Sequence, residues 1–203
     1  MKRIALFGTS ADPPTAGHQA ILRWLSERYD CVAVWAADNP FKSHQTPLEH
    51  RGAMLRLLIE EINPARQNIS FHPELISYRT LWAVEKAKEL WGADAEFMLV
   101  IGSDLVSQLP RWYQIENLLQ QVQLLVVPRP GYPIEEDSLG HLRQLGAEVA
   151  IADLTGPNVS STAYRENGNT QALTPPIEAY IHQQHLYKCQ NAAKNRLQIR
   201  SYN

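Results

Sequence analysis

The stretch Ile4-Ala5-Leu6-Phe7-Gly8-Thr9-Ser10-Ala11-Asp12-Pro13-Pro14-Thr15-Ala16-Gly17-His18 decides the fold. An apolar run of strand length enters a loop of small residues and prolines, and the helical pattern Ile21, Leu22, Leu25 follows. A strand, a tight loop and a helix opened by Gly17-His18 make the first unit of a parallel α/β sheet. Such a loop brings backbone N–H groups and an imidazole to a place suited to polyphosphate. His18 then falls in the first helical turn, pointing into the crevice at the carboxyl end of the strand. The same residues also suit a helix-capping histidine on a proline-stiffened loop, and spacing alone leaves both readings open.

Outward from that loop, apolar runs of strand length recur at residues 31–36, 68–72, 97–101, 124–127 and 148–152. Helical periodicity fills the gaps at 17–28, at 47–61 with Met54, Leu55, Leu58 and Ile62 on one face, and at 80–91 with Leu81, Val84 and Ala87. This alternation predicts a parallel sheet covered by helices. Short helices are predicted at 104–109 and 115–119, divided by Pro110, and another at 137–145. Ser160 or Ser161 caps a helix starting near Thr162, and residues 176–184 read as the last helix, with proline in its first turn. Residues 1–188 read as one domain, and the polar, basic stretch 189–203 as a mobile tail.

The chain of 203 residues is 44% hydrophobic with a net charge of −2, enough for one core. Its overall field would not gather nucleic acid, so any anion site must be built locally from helix ends and a few cations. No charged-then-apolar leader is seen, nor an apolar run near the roughly 18 residues of a membrane span, so a cytoplasmic protein is expected. Cys31 and Cys189 show neither metal-ligand spacing nor a framework of pairs and read as free thiols.

The second constellation is Asn158-Val159-Ser160-Ser161-Thr162-Ala163-Tyr164-Arg165. Three consecutive hydroxyls at a helix start, with an arginine one turn later, can hold several phosphate oxygens. Alone, the run more often describes a serine cap beside a solvated arginine. Trp112, between Pro110 and Tyr113 beyond a strand end, is placed to cover a flat heterocycle, although a lone tryptophan is more often a packing residue. Lys42 and His44, between a strand and a helix, are cations able to reach phosphates, or simply solvated.

Taken together, residues 15–18 and 159–165 resemble the two phosphate signatures of the nucleotidyltransferase superfamily of adenylyltransferases. Ile101-Gly102-Ser103-Asp104, Leu109-Pro110-Arg111-Trp112-Tyr113, Arg129-Pro130-Gly131-Tyr132-Pro133 and the run from Tyr180 to Tyr187 look more specifically like nicotinate-mononucleotide adenylyltransferases. The resemblance covers residues 1 to about 188. It implies a Rossmann-like α/β fold of nucleotidyltransferase type, a parallel β-sheet with helices on both faces in three layers. It implies transfer of AMP from ATP to nicotinate mononucleotide, giving nicotinate adenine dinucleotide and pyrophosphate in NAD biosynthesis. Attack is in line without a covalent intermediate, and Mg²⁺ enters with ATP, with no metal ligand assigned to the protein.

By the same resemblance Gly8, Thr9, Ser10 and Gly17 belong to the ATP-phosphate loop, and Thr15 and His18 flank the α-phosphate, His18 making the transition-state contact. Ser161, Thr162 and Arg165 grip the β- and γ-phosphates, Arg165 joining Thr15 and His18 as a catalytic candidate. Gly102 and Asp104 face the ribose and adenine. Trp112 stacks on the pyridine, and Tyr78, Arg79 and Thr80, with Lys42 and His44, lie on the pyridine-nucleotide side. The partners implied are these small molecules, with no nucleic acid and no membrane, and self-association is left open.

The chain departs from the family pattern in three places. Gly8-Thr9-Ser10-Ala11 replaces a glycine pair, threonine and an aromatic; Thr15 stands where the first of two histidines is usual; and Ser77-Tyr78-Arg79 replaces Ser-Tyr-Thr. Two alternatives therefore accompany the main expectation: transfer to nicotinamide mononucleotide or another phosphate acceptor, and a non-catalytic nucleotide-binding relative.

Overall fold

A computed structural model describes residues 1–38, 45–62 and 66–187. Lys42, His44, Cys189 and the stretch 189–203 lie outside the described residues. Six parallel strands form one sheet in the order β3-β2-β1-β4-β5-β6: β1 Arg3–Thr9, β2 Cys31–Ala36, β3 Ile69–Phe71, β4 Glu96–Gly102, β5 Gln123–Val127 and β6 Val149–Ile151. The connecting helices are α1 Ala16–Arg28, α2 Leu48–Ile62, α3 Thr80–Trp91, α4 Ile115–Leu119, α5 Glu136–Gln144, α6 Ser161–Asn167 and α7 Pro175–Gln183.

Side chains alternate across a strand, so the sheet divides one apolar run between two cores. Ile4 and Leu6 of β1 face one side with Leu99, Leu124, and Leu81, Val84 and Ala87 of α3; α4 and α5 add Leu118 and Leu142. Ala5 and Phe7 face the other with Val34, Val100, Leu22 and Leu25 of α1, Met54, Leu55 and Leu58 of α2, and Ile177 of α7. The result is the three-layer α/β arrangement the sequence predicts. Each fully buried leucine contributes about 1.5–3 kcal/mol of transfer free energy, and Leu6, Leu22 and Leu58 are each at 0% exposure.

Local chemistry moves a few boundaries. In place of a helix over 104–109 the chain makes 3₁₀ turns at Ser103–Leu105 and Leu109–Arg111. Bonds from the N–H groups of Val106, Gln108, Arg111 and Trp112 to the carbonyl three residues back replace α-helical ones. Pro110, with no N–H to give, prevents a longer helical ladder. Strands β3 and β6 are shorter than predicted, but Asn68 O, His72 N, Glu148 O and Ala152 N still bond to neighbouring strands. Cys31 begins β2 as a free thiol.

Candidate functional site

The sheet order reverses direction at β1 and β4, and the loops leaving the carboxyl ends of β1, β4 and β5 meet at that switch point. Open α/β sheets bind ligands there. Gly8, the next-to-last residue of β1, lies against a wall, because a Cβ at this position would lie 2.5 Å from the indole ring of Trp35 on β2. Close strand packing therefore requires glycine at this position.

The loop after β1 is held by its carbonyls. Arg51, 2% exposed on α2, donates from Nη1 to Ser10 O at 3.0 Å and Ala37 O at 2.8 Å, and from Nε to Thr46 O at 2.8 Å. Ser161 Oγ donates to Pro13 O at 2.7 Å, and Arg165 Nη1 to Asp12 O. Burial pushes the Arg51 guanidinium down from its ordinary value, and the nearby Asp12 opposes that shift. The prolines at 13 and 14 offer no N–H, so carbonyls turned toward cations and a hydroxyl make the loop compatible with an anion.

Thr15 and His18 form a reciprocal cap at the start of α1. The Thr15 hydroxyl takes the backbone N–H of His18, while the Thr15 N–H donates to His18 Nδ1 at 3.1 Å. A backbone N–H can only donate, so Nδ1 is the unprotonated nitrogen and the neutral ring carries its proton on Nε2. Nε2 lies 3.1 Å from Thr9 Oγ1 at the end of β1. Withdrawal from water, with Arg129 as the smaller cause, lowers the His18 pKa to about 4. The imidazole is thus a neutral, oriented N–H donor over most of the pH range. Thr15 is itself 1% exposed and orients His18 from within the loop.

α6 sits across this loop. Ser160 is the N-cap, accepting from the Ala163 N–H at 3.0 Å, so Ser161 is the first helical residue and its hydroxyl is turned to Pro13. Arg165 Nη2 reaches Thr162 Oγ1 at 3.3 Å. A guanidinium has about five N–H donors in a planar fork, so Arg165 can hold the loop and still present donors to a phosphate.

Past β4, Asp104 folds its carboxylate over Gly102, where any Cβ would collide with it, and pairs with Arg129 Nη1 at 2.7 Å. Ser103, 6% exposed, accepts the Arg129 N–H at 3.0 Å and donates to Tyr132 O at 2.8 Å. The turn after β5 is thereby stapled to the end of β4.

On the side of α3, Arg79 caps the helix that begins at Thr80, and its guanidinium lies 4.5 Å over the Tyr113 ring and 5.6 Å from that of Tyr78. Tyr78, Trp82 and Tyr113 are exposed and stack edge to face in sequence. Trp112 follows the 3₁₀ turn at Leu109–Arg111, packs partly on the core, and lines a depression with Gln114, Ile115 and Asn117.

The structure therefore gathers Gly8, Thr9, Ser10, Thr15, Gly17 and His18 with Ser161, Thr162 and Arg165 around one loop. It gathers Tyr78, Arg79 and Thr80 with Tyr113 in a second group. Sequence reasoning overlooked Arg51, Trp82 and the anchoring part of Asp12. For Arg51 a signal existed, since it stands one helical turn before Leu55 on the face that carries Met54, Leu55 and Leu58 inward.

Residues 6–167 match the cytidylyltransferase-like family. The chain is 40% identical over 198 residues to a probable nicotinate-nucleotide adenylyltransferase of Synechocystis sp., covering 92% of this chain and 99% of that one. It is 29% identical to the nicotinate-nucleotide adenylyltransferase of Bacillus subtilis, covering 93% and 100%. Among solved structures, Plasmodium falciparum nicotinic acid mononucleotide adenylyltransferase complexed with NaAD superposes with a TM-score of 0.79 at 22% identity, covering 92% of this chain and 98% of that one.

Proposed function

The chain belongs to the cytidylyltransferase-like family, among the nicotinate-nucleotide adenylyltransferases, and from that membership we propose how its residues transfer AMP from ATP to nicotinate mononucleotide. The products are nicotinate adenine dinucleotide and pyrophosphate. The mononucleotide phosphate attacks the α-phosphorus in line, so catalysis consists of alignment and charge stabilisation. The observation that carries the residue assignment is the tautomer of His18: a neutral ring with Nε2–H directed to the end of β1 beside the Thr9 hydroxyl. That proton is donated to an α-phosphate oxygen as its charge grows, and Thr15 holds the ring in register. Because the ring is neutral, it acts as a hydrogen-bond donor without adding a cation.

Arg165, with Thr162 and the backbone N–H of Ser161 at the start of α6, takes the β- and γ-phosphates, the Ser161 hydroxyl being given to Pro13 O, while Gly8, Thr9, Ser10 and Gly17 shape the loop beneath them. Gly102 and Asp104 border the nucleoside, with Arg129 fixing the Asp104 carboxylate. Mg²⁺ would enter bound to the ATP phosphate oxygens and would supply charge neutralisation for the leaving pyrophosphate. Asp12 is engaged by Tyr187 and Thr46 and Asp104 by Arg129, so neither carboxylate is placed as a ligand and the ion would be held through the ATP oxygens.

Trp112 stacks on the pyridine, and Arg79, held over Tyr113, supplies the donors a nicotinate carboxylate needs. The test is pyrophosphate release with Mg²⁺-ATP and each acceptor in turn. Nicotinate mononucleotide is turned over faster than nicotinamide mononucleotide, and Arg79→Ala narrows that preference by about tenfold or more. No pyrophosphate with saturating nicotinate mononucleotide refutes the assignment, and an unchanged preference in Arg79→Ala removes Arg79 from it.

A further inference from the structure

Asp12, 4% exposed in the loop after β1, joins parts of the chain that are far apart in sequence. Its Oδ1 accepts the Tyr187 hydroxyl at 2.6 Å, its Oδ2 accepts the Thr46 N–H at 3.3 Å, and its carbonyl accepts Arg165. Tyr187 stands just past α7, its ring edge-on to that of Tyr164 at 5.8 Å. To reach Asp12 the chain closes α7 with a Leu186 N–H bond to Ile181 O at 3.1 Å. It also takes left-handed backbone at His185, φ 56°, and Tyr187, φ 61°. Such a conformation costs a non-glycine residue about 1–2 kcal/mol, so the contacts it delivers have to offset that cost.

We propose that Tyr187 is a positioning residue for adenylyl transfer: through Asp12 it fixes the loop after β1 and the segment at Thr46, and so sets the register of Thr9, Thr15 and His18 on the α-phosphate. This rests on the adenylyltransferase reading of the same loop. Tyr187 acts through Asp12, whose carboxylate is bonded to the Thr46 N–H and whose carbonyl is bonded to Arg165. Removing its hydroxyl leaves a buried carboxylate oxygen without its partner and frees the loop to shift. A displacement on the order of 1 Å at such a site costs about a hundredfold in rate, and the effect falls on turnover because the loss is greatest where geometry is most exacting.

The test is Tyr187→Phe in the full chain, read by steady-state kinetics and by amide hydrogen exchange at Thr46. The expected result is a kcat lowered by about ten- to a hundredfold, both KM values within about threefold, and Thr46 exchange faster by about tenfold. Asp12→Asn shows the same pattern, and the double variant is no worse than the more impaired single one. Ile177→Val, on the buried face of α7 and outside the contacts that carry Tyr187 to Asp12, lowers the melting temperature while keeping kcat. Wild-type kcat in Tyr187→Phe overturns the proposal, as does a change confined to KM or Thr46 exchange at the wild-type rate. If the wild-type protein releases no pyrophosphate, the functional reading fails, and Thr46 exchange in Tyr187→Phe still decides whether the strut exists.

Discussion

Protonation of His18 provides a quantitative test of the site. The ring is placed so that Nδ1 accepts the Thr15 N–H, and burial lowers its pKa from 6.5 to about 4. In the unfolded chain it titrates near about 6.5. Above that value both states are neutral and the capped arrangement has its full stability. As pH falls below 6.5 the unfolded chain takes up a proton that the folded ring refuses, so stability drops until the folded ring titrates near pH 4. The gap corresponds to about 1 kcal/mol lost at pH 5.5 and about 2–3 kcal/mol at pH 4.5 from this residue alone. Urea unfolding of wild type and His18→Asn across pH 7.5 to 4.5 isolates the contribution, because the variant lacks this titration and its stability falls less steeply by those amounts. Ring ¹⁵N chemical shifts read the tautomer directly, with the proton on Nε2 at neutral pH. Parallel pH slopes in the two proteins, or a His18 resonance titrating near pH 6.5, refute the reasoning. In turnover, the His18 contribution stays flat from pH 6 to 8, because the donor neither gains nor loses its proton there.

The buried cation and the wall behind the loop give further tests. Arg51→Met keeps the bulk of the side chain but leaves Ser10, Ala37 and Thr46 carbonyls without their donor; thermal or urea unfolding should show a loss of about 3 kcal/mol or more. Gly8→Ala forces a methyl into the Trp35 ring, and the expected destabilisation is about 1–3 kcal/mol, relieved by Gly8→Ala combined with Trp35→Leu in the same unfolding assay.

Most of the sheet could be read directly because its chemistry is local. Cys31–Ala36 and the run through Leu99 are short, apolar and bounded by breakers, and a strand buried on both faces has few other outcomes. The helices were legible from the spacing of Met54, Leu55 and Leu58. Boundaries slipped where one residue governs hydrogen bonding, as at Pro110. Trp112 illustrates the limit for the site: its place after a proline suggested a stacking platform, while its partial packing on the core and its neighbours Gln114 and Ile115 are facts of three dimensions.

The sequence by itself determined the α/β order, the loop after β1 with His18 in the first turn of α1, and the run of hydroxyls and arginine at 160–165, because periodicity and capping act over a few residues. Only the tertiary structure decided what each group bonds to. Ser161 and Arg165, which the family resemblance assigns to the phosphates, hold the Pro13 and Asp12 carbonyls from about 150 residues away in the chain. Arg51 and Tyr187 converge on the same loop from α2 and from beyond α7. Such contacts arise when separate elements pack on one sheet, and a buried polar atom takes whichever partner the packing brings to it.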